Sequence, residues 1–250
     1  MTHAIGNWSQ ITLAGHACDV YEPPQPSPHG YAVVYLHGVH LNRLCDKPAF
    51  ISQFDRHALR VVCPHTERSW WADKICHEFD PQITAERYVT QHVMGWIAEH
   101  WGAKPPQIAL LGTSMGGQGA LRMAFKHPRT FSVAAAISPA IDYQHRLEEG
   151  DETLGLMYHD KEAARQDTAT LHVHPLNWAR HVWFCCDPLD VRWHESAERL
   201  RMKMAALGIP FACDLETSGG GHGFEYYNRM AEPAIRFIAE RLESERLRVV

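Results

Sequence analysis

A serine lies between two glycines where an apolar run meets a helix-like segment. Residues 107–111 (QIALL) have the pattern of a buried strand and residues 117–126 (GQGALRMAFK) that of a helix, so Ser114 falls on the turn between them. Such a tight turn holds the serine at φ > 0 and needs glycine two positions to either side, so that the backbone can approach closely. The order strand, Gly-x-Ser-x-Gly, helix indicates a nucleophile elbow, against the alternative of an ordinary glycine-rich turn.

A serine hydroxyl is a weak nucleophile, so this hypothesis requires a histidine base and a carboxylate later in the chain. His222 lies in the glycine-rich loop 218–223, which would let its ring reach the serine, although it could also merely decorate a mobile loop. The carboxylate is expected where the strand predicted over residues 181–186 ends. Asp187 and Asp190 both follow that strand, and Asp190 is favoured because an acid needs a few residues of turn before it can point at the histidine. Whichever of the two is not the acid is expected to be a turn or cap residue.

Two backbone N–H groups would have to stabilise the negative charge of a tetrahedral intermediate. Met115 supplies one by its position after the serine. Val39 is expected to supply the second, because it follows the strand predicted over residues 31–36. His37 and Gly38, next to it, are expected at the substrate site. The ring of His37 is predicted to hold the Gly38 turn by hydrogen bonds rather than to transfer a proton.

These segments resemble the α/β-hydrolases of the esterase D type, the group that includes S-formylglutathione hydrolases and is similar to the bacterial mycolyltransferases. The resemblance spans most of the chain and is carried by residues 36–38, 112–121, 187–190 and 221–222. It implies a serine esterase with Ser114, Asp190 and His222 as its catalytic triad. The chain departs from the group at Cys186-Asp187-Pro188, where members commonly have a glycine-containing turn, so Asp187 stays open as the alternative acid.

The alternation of strand and helix patterns predicts an α/β fold, the α/β-hydrolase fold, with a mostly parallel central sheet flanked by helices on both faces. With 250 residues, 45% of them hydrophobic, the chain is long enough for one sizeable core, so a single domain over residues 1–250 is expected. Residues 142–180 interrupt the alternation and are predicted to form a small cap. The predicted strands lie at 11–21, 31–36, 60–63, 107–111, 131–137, 181–186 and 211–216, and the predicted helices at 85–101, 117–126, 195–207 and 233–246.

A second irregular segment, residues 64–73, contains Trp70 and Trp71 and follows a strand, at the edge of the sheet where open α/β folds bind ligands. The two rings could wall an acyl or alcohol pocket, or they could cover the core beneath a long loop. His172 and His174 have a spacing that metal sites use, but no matching carboxylate or cysteine cluster lies nearby. We therefore expect neither a metal nor a cofactor.

Composition excludes several classes of partner. The chain has 24 basic and 29 acidic residues and no basic run, so it offers little attraction to nucleic acid or to an anionic membrane surface. It has no apolar run of membrane-spanning length and no secretory leader pattern, so a soluble cytoplasmic protein is expected. Its seven cysteines are scattered and are expected to be reduced. A homo-oligomer stays possible.

The sequence therefore predicts a serine hydrolase that cleaves carboxylic esters, short-chain acyl esters or thioesters, through an acyl-enzyme on Ser114. Its expected partner is a small-molecule ester. Two alternatives stay open: an acyltransferase that uses the same triad, and a catalytically silent α/β-hydrolase that acts as a binding module. A nucleotide-binding protein is disfavoured, because the chain lacks the glycine-rich phosphate-binding motifs.

Overall fold

Eight strands form one sheet in the computed structural model, which describes residues 5–248. The strands are β1 (Asn7–Leu13), β2 (His16–Glu22), β3 (Ala32–Leu36), β4 (Arg60–Pro64), β5 (Ile108–Thr113), β6 (Val133–Ile137), β7 (His181–Cys185) and β8 (Ala212–Asp214). Their order across the sheet is β1-β2-β4-β3-β5-β6-β7-β8, and only the pairs that involve β1 or β2 are antiparallel. The predicted α/β fold with a mostly parallel sheet is confirmed.

Helices connect the parallel strands. They are α1 (Pro48–Arg56), α2 (Ala85–Arg87), α3 (Met94–Trp101), α4 (Met115–Lys126), α5 (Tyr143–Glu148), α6 (Glu152–Met157), α7 (Lys161–Gln166), α8 (Val191–Ala206) and α9 (Phe224–Leu247). A π-helical segment, Tyr88–Val93, joins α2 to α3, so the helix predicted over residues 85–101 exists as one helical run. None of the helices in residues 5–248 is long and apolar enough to cross a membrane.

Both faces of the sheet are buried, as the apolar central strands require. Successive side chains of a strand point to opposite faces, and in β3 Val33 and Tyr35 join one core cluster while Val34 and Leu36 join the other. Helices α1 and α9 cover the face with Tyr35, and α3, α4 and α8 cover the opposite face. The turn at the end of β5, which carries Ser114, is therefore held between two packed layers.

The single edge strand predicted over residues 11–21 is wrong, because the structure has a hairpin there. Strand β1 turns back into β2 at Ala14 and Gly15, and Leu13 pairs with His16. Both turn residues have positive φ, 47° and 85°, which is the backbone that a two-residue hairpin needs. An alanine at the first of these positions gives little turn signal, so the periodic pattern alone hides the break.

The closing helix, predicted to begin at Pro233, begins nine residues earlier at Phe224. Proline is typical of the first turn of a helix, which is why the prediction starts there. In the structure Pro233 lies inside α9, where it forfeits one backbone hydrogen bond. Tyr226 and Met230 are buried against the sheet before it. We attribute the early start of the helix to this burial, which outweighs the local cost of the proline.

The excursion 142–180 folds into α5, α6, α7 and a short 3₁₀ turn, and a buried arginine connects it to α4. Arg122 of α4 pairs with Glu86 of α2 and with Asp167 after α7; the Asp167 contact, from Nη2 to Oδ1, is 2.5 Å. Burial alone would raise the pKa of Glu86, but the hydrogen bond from His127 and the charges of Arg122 and Lys126 outweigh it and lower the pKa to about 2.

We expect Arg122→Met to lower the free energy of unfolding by about 3 kcal/mol or more, because it leaves the Glu86 and Asp167 carboxylates in the interior with fewer partners. Urea unfolding at neutral pH measures this loss. The pKa of Glu86 is normally 4.5 and is about 2 in the folded protein. The contribution of Glu86 to stability is therefore complete above pH 4.5 and is lost as the pH falls to about 2. The difference in free energy of unfolding between wild type and Arg122→Met should therefore become smaller as the pH falls through that interval.

The matched control is Arg165→Met, which removes an arginine from the exposed pair with Glu162. Exposed pairs contribute little to stability, so this variant should unfold with wild-type stability. If Arg122→Met also unfolds like the wild type, the buried ion pairs do not stabilise the junction between α4 and the excursion.

Candidate active site

Ser114 lies on the turn between β5 and α4 with φ 53° and ψ −118°, a conformation that L-residues rarely adopt. Its backbone is held by neighbouring segments: its N–H donates to the carbonyl oxygen of Ile137 (3.0 Å) and its own carbonyl accepts the N–H of Ala140 (3.0 Å). A Cβ at Gly112 would lie 2.0 Å from the carbonyl oxygen of Gly116. Glycine is therefore required at the crowded positions around the serine, as the sequence pattern predicts.

Three side chains from distant parts of the chain meet at this turn. The hydroxyl Oγ of Ser114 lies 2.7 Å from Nε2 of His222, and Nδ1 of that ring lies 2.5 Å from Oδ2 of Asp190. A proton on Nδ1 that is donated to the carboxylate leaves Nε2 free to accept the serine proton. The structure thus brings together the serine, histidine and favoured acid in a continuous hydrogen-bonded chain.

Asp187, the alternative acid, makes different contacts. It is fully buried and makes no hydrogen bond to His222. Burial by itself would raise its pKa, but the hydrogen bonds that it accepts outweigh this effect and lower the pKa. The carboxylate therefore holds the loop that presents the histidine. Its donors are the backbone N–H groups of Leu189, Gly219 and Gly221 and the hydroxyl of Ser218, at 2.7 to 3.0 Å.

Two backbone N–H groups next to the serine are available to a ligand. Met115 is the first residue of α4, and Val39 follows Gly38, whose added Cβ would lie 3.3 Å from Cβ of Ser114. Neither N–H donates a hydrogen bond to another group among residues 5–248. Their placement fits the two donors that an oxyanion hole needs.

The ring of His37 supports a loop and makes no hydrogen bond to Ser114, His222 or Asp190. Its Nε2 accepts the N–H of Thr66 (3.2 Å), so its proton lies on Nδ1 and is donated to the carbonyl oxygen of Gly38 (3.0 Å). Burial lowers the pKa of His37 to about 4, which keeps the ring neutral. The ring therefore holds the Gly38 turn by its hydrogen bonds, and Gly38, unlike His37, borders the cavity at Ser114.

Trp70 and Trp71 do not border the cavity at Ser114, so their expected substrate-binding role is not what the structure shows. Both are buried, and Trp71 packs against Gly119 of α4, where an added Cβ would lie 2.5 Å from its own Cβ. Its Nε1 donates to the carbonyl oxygen of His37 (3.0 Å), and the carbonyl of Trp70 accepts the hydroxyl of Tyr143 (2.8 Å). The other possibility, a cover over the core beneath a loop, is the one observed.

Two hollows share His222 in their lining. The smaller, about 140 Å³, is bordered by the serine, and the larger, about 360 Å³, is bordered by Asp190 and not by the serine. The smaller is bordered by Gly38, Val39, His40, Asn42, Thr113, Ser114, His222, Gly223, Phe224 and Tyr227. The larger is bordered by Leu189, Asp190, Val191, Arg192, Trp193 and His222.

Sequence reasoning missed the aromatic residues of these hollows. Phe224 and Tyr227 follow the predicted histidine by two and five residues, but the helix that carries them was predicted to begin later. Trp193 comes three residues after the predicted acid, on the first turn of α8. A search for aromatic residues within one helical turn of each triad residue would have found Trp193 and Phe224.

In the part of the chain that the structure describes, no group of three or more histidine, cysteine or acidic side chains is arranged to hold a metal ion. His172 and His174 make separate contacts. Nε2 of His172 lies 3.1 Å from Oδ1 of Asp167, and Nδ1 of His174 accepts the N–H of Leu176 at 3.1 Å.

The sheet order, the elbow after β5 and the packed helices on both faces define an α/β-hydrolase. The esterase family described as "Putative esterase" matches residues 16–208. The chain belongs to this family, and the resemblance found in the sequence is confirmed.

Solved structures of similar fold include an S-formylglutathione hydrolase from Agrobacterium tumefaciens, 19% identical, with a TM-score of 0.74 over 95% of this chain and 94% of that one. The fluorophosphonate-binding serine hydrolase FphF of Staphylococcus aureus is 15% identical, with a TM-score of 0.73 over 94% and 99%. MPT51 of Mycobacterium tuberculosis is 16% identical, with a TM-score of 0.71 over 93% and 99%. At these identities the likeness establishes the fold.

A curated relative is the diacylglycerol acyltransferase/mycolyltransferase Ag85A of Mycobacterium tuberculosis, 30% identical over 118 residues. The matched segment covers 45% of this chain and 34% of that protein. The chain thus spans about a third of the length of the curated relatives that it matches.

We expect the ring of His37 to stay neutral, with its proton on Nδ1, at a pH midway between its usual pKa of 6.5 and its value of about 4 here. Because the unfolded chain binds this proton and the folded chain does not, His37 makes folding less favourable as the pH falls through that interval. Long-range ¹H–¹⁵N NMR spectra report the tautomer, with His37→Gln to assign the signal. Titration of that signal near 6.5 would contradict the buried, neutral ring.

Proposed function

We propose that this protein is a serine hydrolase that cleaves carboxylic esters, with short-chain acyl esters or thioesters as substrates. The observation that carries the proposal is the hydrogen-bonded chain from Ser114 Oγ through His222 to Asp190, at 2.7 Å and 2.5 Å, on a nucleophile elbow. A nucleophile in contact with a base that is itself oriented by a carboxylate is the arrangement that activates serine. Membership in an esterase family supports the same reaction.

The first half of the reaction forms an acyl-enzyme. His222 takes the proton of Ser114 as Oγ attacks the ester carbonyl carbon, and Asp190 stabilises the imidazolium that results. The carbonyl oxygen becomes negative and accepts hydrogen bonds from the N–H groups of Val39 and Met115. As the tetrahedral intermediate collapses, the bond to the leaving oxygen or sulfur breaks, and His222 gives its proton to that atom.

The second half releases the acid. His222 removes a proton from water, the hydroxide attacks the acyl carbon, and the same two N–H groups stabilise the second tetrahedral intermediate. Collapse breaks the bond to Oγ of Ser114, which regains its proton from the imidazolium. Side chains, backbone and water carry every step.

The alternatives differ in what happens to the acyl-enzyme. An acyltransferase would pass the acyl group to an alcohol instead of water, as the printed name of Ag85A describes for that protein. Hydrolysis is the better supported reaction, because His222 is exposed and opens to solvent, so that water can reach the acyl carbon. Product analysis with an added alcohol separates the two reactions. A silent binding module would not react with a fluorophosphonate probe at Ser114.

Ser114→Ala should lower kcat for a nitrophenyl acetate by about three or more orders of magnitude and leave the fold intact, because triad members act as a unit. Steady-state absorbance of released nitrophenolate measures the loss, and circular dichroism checks the fold. The control is Ser52→Ala, on the exposed side of α1, which should keep wild-type rates. Wild-type hydrolysis by Ser114→Ala would exclude the proposed mechanism.

Asp190→Asn and Asp187→Asn should have different effects. The first should lower kcat by about three to four orders of magnitude at near wild-type stability, because an amide no longer holds the His222 tautomer. The second places an NH₂ group against backbone N–H donors, so its main effect should be a lower melting temperature. The kcat of the folded fraction should fall less than it does in Asp190→Asn. If Asp187→Asn loses kcat and Asp190→Asn retains it, the acid is assigned to the wrong residue.

A further inference from the structure

The two hollows that His222 borders would receive different parts of an ester, if the proposed function holds. The carbonyl carbon must reach Ser114 with its oxygen toward Val39 and Met115, and both Ser114 and Val39 border the smaller cavity. The leaving atom must receive its proton from His222, and the larger hollow borders that ring but not the serine. The acyl chain is therefore assigned to the cavity of about 140 Å³.

The walls of the acyl cavity are held in place by packing. Thr113 borders it, and its hydroxyl lies 2.8 Å from the hydroxyl of the fully buried Tyr35. Phe224 also borders it, and the ammonium group of Lys47 lies over its ring, 4.7 Å from the centroid. The remaining aromatic wall is Tyr227, on the first turns of α9.

Tyr227 is a rigid, uncharged wall. The residue is 5% exposed, and its ring meets those of His222 and Phe224 nearly edge to face, with centroids 5.8 Å and 5.2 Å apart. Burial raises the pKa of the phenol, so the hydroxyl is neutral. A buried ring that packs against the imidazole and a second aromatic residue has little room to move aside for a longer chain.

We propose that the ring of Tyr227 sets the upper length of the acyl group that the site accepts. An apolar cavity of about 150 Å³ holds a benzene molecule, so a cavity of this size accommodates roughly four to six carbon atoms. Acetyl and butyryl groups fit within it. An octanoyl chain would have to leave it past the exposed, polar His40 and Asn42 and would lose the burial of its distal methylenes.

The test compares kcat/KM for nitrophenyl acetate, butyrate and octanoate, which share one leaving group, so their ratios report the acyl side alone. In the wild type the octanoate-to-butyrate ratio should be below about one tenth. Tyr227→Ala should raise this ratio at least about tenfold. Tyr227→Phe, which keeps the ring and removes the hydroxyl, should have the wild-type ratio.

Two further variants keep the test decisive. Tyr227→Leu, a smaller loss of volume, should raise the ratio by less than Tyr227→Ala and serves if that variant does not fold. Trp193→Ala removes an aromatic residue from the other hollow, 6.3 Å from the His222 ring by centroids, and should leave the acyl ratio unchanged. A change with Trp193→Ala as large as with Tyr227→Ala would overturn the assignment of the two hollows.

Equal turnover of octanoate and butyrate by the wild type would overturn the inference, as would an unchanged ratio in Tyr227→Ala that still cleaves acetate. Both outcomes leave the esterase function standing. Failure of that function shows itself separately, as ester cleavage that survives Ser114→Ala on all three substrates.

Discussion

The site depends on how closely the first turn of α4 approaches the end of β3 next to the serine. A Cβ at Gly116 would lie 1.8 Å from the carbonyl oxygen of Leu36, so the first turn of α4 touches the end of β3 directly. That contact sets α4 against the sheet, and it brings Gly38 and the free N–H of Val39 beside Ser114. If the N–H groups of Val39 and Met115 bind one oxygen atom, as proposed, they can do so only because no side chain separates these two segments.

The parts that sequence could predict are those with a local physical signature. A buried strand, a glycine-flanked serine and a helix predict the elbow within about twenty residues. The ends of two later predicted strands indicate where Asp190 and His222 lie. The parallel sheet follows from the alternation of apolar runs with helical patterns. Sequence reasoning named the serine, the histidine and the favoured acid that meet at this turn in the structure. It left Asp187 open as the alternative acid, because Asp187 and Asp190 occupy the same turn.

The parts that sequence could not predict depend on contacts between distant residues. Whether Trp71 walls a pocket or covers the core is decided by Gly119, which leaves room for its ring, and by the carbonyl of His37, which accepts its N–H. Helix α1 buries only two residues, Phe50 and Phe54, and its position is set by packing against α9. Tyr227 faces the serine because α9 begins before its proline, which no local signal indicates.

Asp187 and Asp190 belong to one tight turn, in which the N–H of Asp190 donates to the carbonyl oxygen of Asp187 at 2.9 Å. One carboxylate holds the imidazole, and the other holds the peptide segment on which the imidazole is mounted. Asp190 and, through the loop that Asp187 holds, His222 are therefore both connected to the end of β7. A substitution that shifts the end of β7 would therefore displace the ring and the carboxylate that contacts it together.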